Sequence, residues 1–258
     1  MNSINLKNTA ENLIDTFLKA GNVAKKISAR GVKITIKSDK SPVTDGDLAV
    51  DEILREKIRE LTPNISIISE ETVNLSLENK EKDFWLIDPI DGTRDYIKKK
   101  DEYTLNAALI INFRPVIGII YAPSKNRLFF SYGPKLAFEI RDGKTIPLNC
   151  KKKSIGNIIG LQHSGAISNN ILNIYKKNGV TKTVKMSSSL KFCTIAAGEA
   201  DIYAAEARAY EWDIAAGHAI LIHAGGSLTT HEHKEFLYGK KNYKNLSLLA
   251  KRSLNINK

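Results

Sequence analysis

The stretch Phe84-Trp85-Leu86-Ile87-Asp88-Pro89-Ile90-Asp91-Gly92-Thr93 constrains this chain more than any other. Its apolar run reads as a buried strand. The run ends on two aspartates three residues apart, with Pro89 stiffening the backbone between them. Carboxylates rarely sit beside a core unless something offsets their desolvation, and a divalent cation does that well. Gly92-Thr93 follows at once, and a turn leading into a helix aims free backbone N–H groups at an anion. Hard oxygen ligands and a phosphate cradle in one segment suggest metal-assisted phosphate chemistry.

Three other segments place acids at the ends of predicted elements. Asp47 lies near a helix start, Glu70 and Glu71 follow a short apolar strand, and Asp213 opens a helix. Each has a plainer reading. Asp47 suits a helix cap, Asp213 a first-turn acid favoured by the helix dipole, and Glu70 and Glu71 solvated loop acids. Taken together around one cleft, the acids match a site for Mg²⁺, which takes oxygen ligands, or for two such ions about 4 Å apart.

The remaining pattern indicates an α/β chain. Leu6, Leu13, Ile14, Phe17 and Leu18 recur at helical spacing. Val32 to Lys37 alternates like a half-buried strand. Ser41-Pro42-Val43-Thr44 opens a second helix, with Thr44 and Asp47 at capping-box spacing. Ile65–Ile68 is a short strand; Leu105–Ile111, Val116–Tyr121 and Leu128–Tyr132 read as consecutive antiparallel strands between turn signals. From there strands near 158–161, 184–186 and 201–204 alternate with helical patterns near 167–177, 189–198 and 212–224. The expected division is an α+β half, residues 1–145, carrying the antiparallel sheet and the acidic turn. An α/β half, residues 146–258, completes the site.

Composition narrows the class. The chain has 258 residues, two cysteines and a formal net charge of +11. Cys150 and Cys193 are too few and too far apart for a disulfide scaffold or a metal site, and Cys193 reads as core packing. The excess charge is either a solvated lysine surface or an attractor of a polyanionic small substrate. Lys98–Lys100 and Lys151–Lys153 are most simply solvated faces, the first near enough to the turn to draw in an anion. Basic residues lack the interleaved aromatics of a strand-binding surface, so no nucleic-acid partner is expected. His218, His223, His231 and His233 read as structural or surface groups, since Mg²⁺ prefers oxygen. No apolar run is long enough for a transmembrane segment and no signal-peptide pattern is present. The expected location is the cytoplasm, compatible with peripheral inner-membrane association; the oligomeric state is unknown.

These motifs carry a resemblance. Asp88-Pro89-Ile90-Asp91-Gly92-Thr93, with Ser69-Glu70-Glu71 upstream and Trp212-Asp213-Ile214-Ala215-Ala216-Gly217 downstream, resembles the inositol monophosphatase superfamily. Ser188-Ser189-Leu190-Lys191-Phe192-Cys193, Ser41-Pro42-Val43-Thr44 and Glu211-Trp212-Asp213 make it most similar to the CysQ-type 3′(2′),5′-bisphosphate nucleotidases. The resemblance implies an α-β-α-β-α sandwich of the inositol monophosphatase and fructose-1,6-bisphosphatase type. It implies a Mg²⁺-dependent phosphomonoesterase acting on adenosine 3′,5′-bisphosphate, a recycling step tied to sulfate activation. Glu70, Asp88 and the Ile90 carbonyl would hold one Mg²⁺, and Asp88, Asp91 and Asp213 a second. Gly92 and Thr93 would hold the scissile phosphate through backbone N–H groups. Thr93 with Asp47 would activate water, assisted by Glu70 or Glu71, while Ser189, Leu190 and Lys191 would line the nucleotide side. Gln162-His163-Ser164-Gly165 and Tyr203-Ala204-Ala205-Glu206-Ala207-Arg208 depart from the family's usual substrate segments. An inositol or sugar phosphate phosphatase, and a non-catalytic Mg²⁺- or nucleotide-binding homologue, are the alternatives.

Overall fold

The computed structural model describes residues 4–37, 40–76, 81–150, 156–163 and 165–253. Lys151–Lys153 and Ser164 lie outside them. Asn5 caps the first helix, α1 (Leu6–Arg30), accepting from the Asn8 N–H. A hairpin of β1 (Ile34–Ile36) and β2 (Pro42–Thr44) leads into α2 (Asp45–Leu61). The capping box expected from Thr44 and Asp47 is present, each side chain meeting the other's backbone.

Next come β3 (Ser66–Ser69), β4 (Phe84–Asp91), the short helix α3 (Thr93–Ile97), β5 (Thr104–Ile111), β6 (Arg114–Ala122) and β7 (Arg127–Ser131). They continue into β8 (Ala137–Arg141) and β9 (Lys144–Pro147). Strands β3 to β9 form one seven-stranded sheet in chain order, antiparallel except for the parallel pair β3–β4. The second half contains β10 (Ile158–Gln162), α4 (Asn169–Lys177), β11 (Val180–Lys185), α5 (Leu190–Ala196) and β12 (Ile202–Ala205). It ends with α6 (Ala215–His223), β13 (Ser227–Thr229) and β14 (Leu248–Lys251). Its five strands are ordered β11-β10-β12-β14-β13, parallel on one side of β12 and antiparallel on the other.

Alternating side chains on β4 show how the layers stack. Trp85 and Ile87 face a core shared with Leu13 and Phe17 of α1 and with Leu54 and Ile58 of α2. Phe84 and Leu86 face a core shared with α5, α6 and the inner face of the second sheet, including Phe192, Ile220, Tyr203 and Leu248. On the far face of that sheet Tyr175 of α4 packs on Ile202 and Leu249. The layers are therefore α1/α2, large sheet, α5/α6, small sheet, α4. Helix α6 is apolar around its whole circumference, as a helix enclosed by two sheets must be. Cys193 is fully buried in the central layer, as the sequence suggests.

Several sequence expectations need correction. All three residues of β1 are exposed, so its alternation does not mark a half-buried strand; its hairpin pairs with no other strand. Strands β8, β9 and β13 carry too mixed a pattern to announce themselves, β14 is a four-residue run buried throughout, and β11 begins four residues earlier than its apolar end suggests.

The close approach of α6 to β6 depends on Gly118. A Cβ there would lie 2.3 Å from the Ala216 carbonyl oxygen, a backbone atom that cannot rotate away. Gly118→Ala is expected to cost about 2 kcal/mol or more, read as a lower urea midpoint with an unchanged slope; a midpoint equal to wild type would contradict this packing.

Candidate active site

Strand β4 is held on both faces by large side chains, so its last residues have little freedom. The pairing of β4 with β5 is regular to Asp88↔Asn106 and irregular between there and Asp91↔Thr104. Gly92 then takes a left-handed conformation, φ 94°, which turns the chain into α3. A side chain there would be strained, and its Cβ would press to 3.1 Å from the Glu102 carbonyl.

Carboxylates from separate segments converge at this end of the strand. Glu70 follows β3, Asp88 lies within β4, and Asp213 lies in the turn before α6. One carboxylate oxygen from each of these three falls within 4.8 Å of the other two. Asp88 is 1% exposed, and its Oδ1 has no hydrogen-bond partner. Burial, then the negative charges of Glu70, Asp91 and Asp213, pushes the Asp88 carboxyl far above its ordinary range. Asp213 is raised likewise, by burial and then by Asp91 and Glu70. Asp91 is raised to about 6 by burial, with Lys191 and the Ser189 N–H pulling the other way. An orphaned buried oxygen among acids that cannot all be charged together fits a cation site.

Asp47 caps its helix and also meets Thr93. Its Oδ2 accepts from the Thr44 N–H at 2.8 Å and the Thr44 hydroxyl at 2.5 Å. Its Oδ1 accepts from the Thr93 hydroxyl at 3.2 Å, and that hydroxyl also lies 3.1 Å from the Ile90 carbonyl. Burial lifts the Asp47 carboxyl to about 6. Glu71 shares a lysine with Glu70. It pairs with Lys37 at 2.7 Å, while Lys37 reaches Glu70 at 3.3 Å, and burial raises Glu71 to about 7.

A cavity of about 500 Å³ opens over the acids. Its lining includes the acidic turn residues Glu70, Asp91, Gly92, Thr93 and Asp213 and the basic residues Lys98, Lys100, His163, Lys191 and Arg208. Ser189 lines it as well, its N–H donating to Asp91 Oδ2 and its hydroxyl to Asn106 Oδ1 at 2.7 Å. Lys191 is buried, its ammonium donating to the Met186 and Ser188 carbonyls and lying 5.2 Å from the Tyr203 ring centre. Desolvation lowers it to about 8, with Asp91 opposing. Burial lowers His163, and Arg208 and Lys191 add to this. Leu190, expected on the cavity wall, instead packs its side chain into the central core. His218 and His223 are structural as expected, held by the Tyr238 hydroxyl and the Ser131 hydroxyl away from the acids.

Sequence reasoning passed over Lys37, Thr104 and Asn106. The last two lie two residues apart on β5, buried and on one face, and Thr104 Oγ1 is 2.8 Å from Ser189 Oγ. Two polar residues at strand spacing inside an otherwise apolar segment were the available signal.

A model of the inositol monophosphatase family matches residues 5–254. The 3′(2′),5′-bisphosphate nucleotidase CysQ of Buchnera aphidicola is 36% identical over 205 residues, covering 79% of this chain and 76% of that protein. The same-named protein of Salmonella typhimurium is 32% identical over 220 residues, covering 81% and 85%. Among solved structures, CysQ from Bacteroides thetaiotaomicron superposes with a TM-score of 0.77 at 27% identity, covering 96% of this chain and 97% of that one. Inositol monophosphatase from Anabaena shares the fold, with a TM-score of 0.77 at 24% identity over 98% and 94%. With nearly its whole length matched and its layered sandwich reproduced, this chain belongs to the inositol monophosphatase family.

Proposed function

We propose that the chain is a Mg²⁺-dependent phosphomonoesterase that hydrolyses adenosine 3′,5′-bisphosphate to AMP and phosphate. The observation that carries this reading is the convergence of Glu70, Asp88 and Asp213, with an unpartnered buried oxygen on Asp88, beneath a cavity walled by cations. Glu70, Asp88, Asp91 and Asp213, with the Ile90 carbonyl, are the residues that would hold Mg²⁺. When bound, the ions would neutralise the phosphate dianion and make a coordinated water more acidic.

The chain's own groups divide the remaining work. Gly92 and Thr93 line the cavity, and their backbone N–H groups would hold the phosphoryl oxygens. Thr93 Oγ1, bonded to Asp47, would hold the attacking water and relay its proton to Asp47, whose raised basicity suits a general base. Water oxygen forms the new bond to phosphorus, the ribose 3′ oxygen leaves and takes a proton, and no enzyme nucleophile is involved. Glu70, which lines the cavity, would be the assisting acid; Glu71 is not among the lining residues and pairs with Lys37. Lys191, Arg208 and His163 also line the cavity and would suit a second phosphate. Ser189, Lys191 and the names of the similar proteins favour a nucleotide over an inositol phosphate. No helix among the described residues is long and apolar enough to cross a membrane.

Phosphate release with Mg²⁺ decides between substrates. The expected kcat/KM is higher for adenosine 3′,5′-bisphosphate than for inositol 1-phosphate; the reverse order would assign the chain to the inositol phosphate branch, and no turnover on any phosphate ester would leave a binding protein.

Metal binding and pH are linked with a definite sign. Asp47, Glu71, Asp88, Asp91 and Asp213 hold protons more tightly folded than unfolded. Between about pH 4 and pH 7 the unfolded chain has already lost protons that the folded one retains, so their contribution to metal-free stability falls as pH rises. Mg²⁺ binds the deprotonated carboxylates. The gain in Tm on adding Mg²⁺ is therefore expected to grow from about pH 5 to about pH 7.5. A gain independent of pH would show that the ion binds elsewhere.

A further inference from the structure

Asp51 takes no part in the chemistry above, yet it is only 4% exposed. It lies one helical turn beyond Asp47 on α2, so both carboxylates point from the same side of that helix. Asp47 reaches Thr93; Asp51 Oδ1 accepts the Ser69 hydroxyl at 2.5 Å. Its other oxygen pairs with Arg55 at 3.1 Å. Ser69 is wholly buried, is the last residue of β3, and immediately precedes Glu70.

The Ser69 hydroxyl is the knot of the acidic turn. It accepts the Glu71 N–H at 3.4 Å while donating to Asp51. The Ser69 carbonyl accepts the N–H groups of Thr72 at 3.1 Å and Val73 at 2.8 Å, closing the turn that presents Glu70. The Glu70 N–H donates to the Ile87 carbonyl at 3.1 Å, beside Asp88. Glu70 must keep its carboxylate close to both Asp88 and Asp213, and the only side-chain tether on the residue before it is Asp51 among the described residues.

We propose that Asp51 is a positioning residue for the metal site: it anchors Ser69 and thereby aims Glu70 at the position shared with Asp88 and Asp213. This rests on the metal-dependent reading given above. Helix α2 then sets two parts of the site from one rigid body, the Thr93 hydroxyl through Asp47 and the Glu70 carboxylate through Asp51. Supporting partners of metal ligands commonly change affinity by about 10- to 100-fold when lost.

The test is Mg²⁺ affinity by calorimetry on the full chain without substrate, alongside the metal-free melting temperature. Asp51→Ala and Ser69→Ala are each expected to weaken Mg²⁺ binding about 10-fold, and the double variant no further, because both remove one interaction. Asp51→Asn retains an acceptor for the Ser69 hydroxyl and is expected to bind like wild type. Arg55→Ala removes only the outer partner and is expected to leave affinity unchanged. Should Asp51→Ala fail to fold, Ser69→Ala, the smaller change, carries the test. Lower melting temperatures with wild-type affinity in Asp51→Ala and Ser69→Ala would reduce the contact to a helix–strand staple and overturn the proposal. Wild-type protein that binds no Mg²⁺ would instead overturn the reading of the site, and this proposal with it.

Discussion

Like charges brought together out of water are the constraint on which this structure turns. Glu70, Asp88, Asp91 and Asp213 come from three separate stretches of chain and meet where burial raises the proton affinity of three of them. Such a cluster opposes folding unless protons or cations accompany it. It persists only because its supports are rigid. Strand β4 is clamped between two cores, α2 is locked at its first turn by the Thr44–Asp47 box, and the turn before α6 is fixed by the Tyr210 N–H donating to Asp213.

The cations already present are arranged so as not to fill the gap. Lys37 neutralises Glu71 and touches Glu70 from the hairpin side. Lys191 approaches Asp91 but spends hydrogen bonds on backbone carbonyls. Neither gives Asp88 Oδ1 a partner. The electrostatics thus favour a small, doubly charged ion over a side-chain ammonium at the centre. The surrounding Lys98, Lys100 and Arg208 spread positive potential over the cavity and favour arrival of a polyanion.

Much of this was legible in the residues. An apolar run breaking on Asp88-Pro89-Ile90-Asp91 announces a strand whose end must do something with charge, and the structure ends β4 there. Thr44 and Asp47 announce a helix start, and they form it. What sequence could not convey was tertiary. The alternation of Val32–Lys37 implies burial only if another layer covers it, and among the described residues β1 stays exposed. Thr104 and Asn106 look like minor interruptions of an apolar strand until β5 pairs them beside Asp91 and Asp88. Asp51 looks like any helical acid; its partner Ser69 is eighteen residues away and becomes adjacent only when α2 packs across the sheet. Leu190 sits within a motif that lines the cavity, but helical geometry turns its side chain into the core.

The most direct measurement is anomalous diffraction from a crystal grown with Mn²⁺ in place of Mg²⁺. A peak bonded to Asp88 Oδ1 and shared with Glu70 and Asp213, with a second beside Asp91, is the predicted result. Density showing no ion there, or these carboxylates turned apart in its absence, would contradict the account.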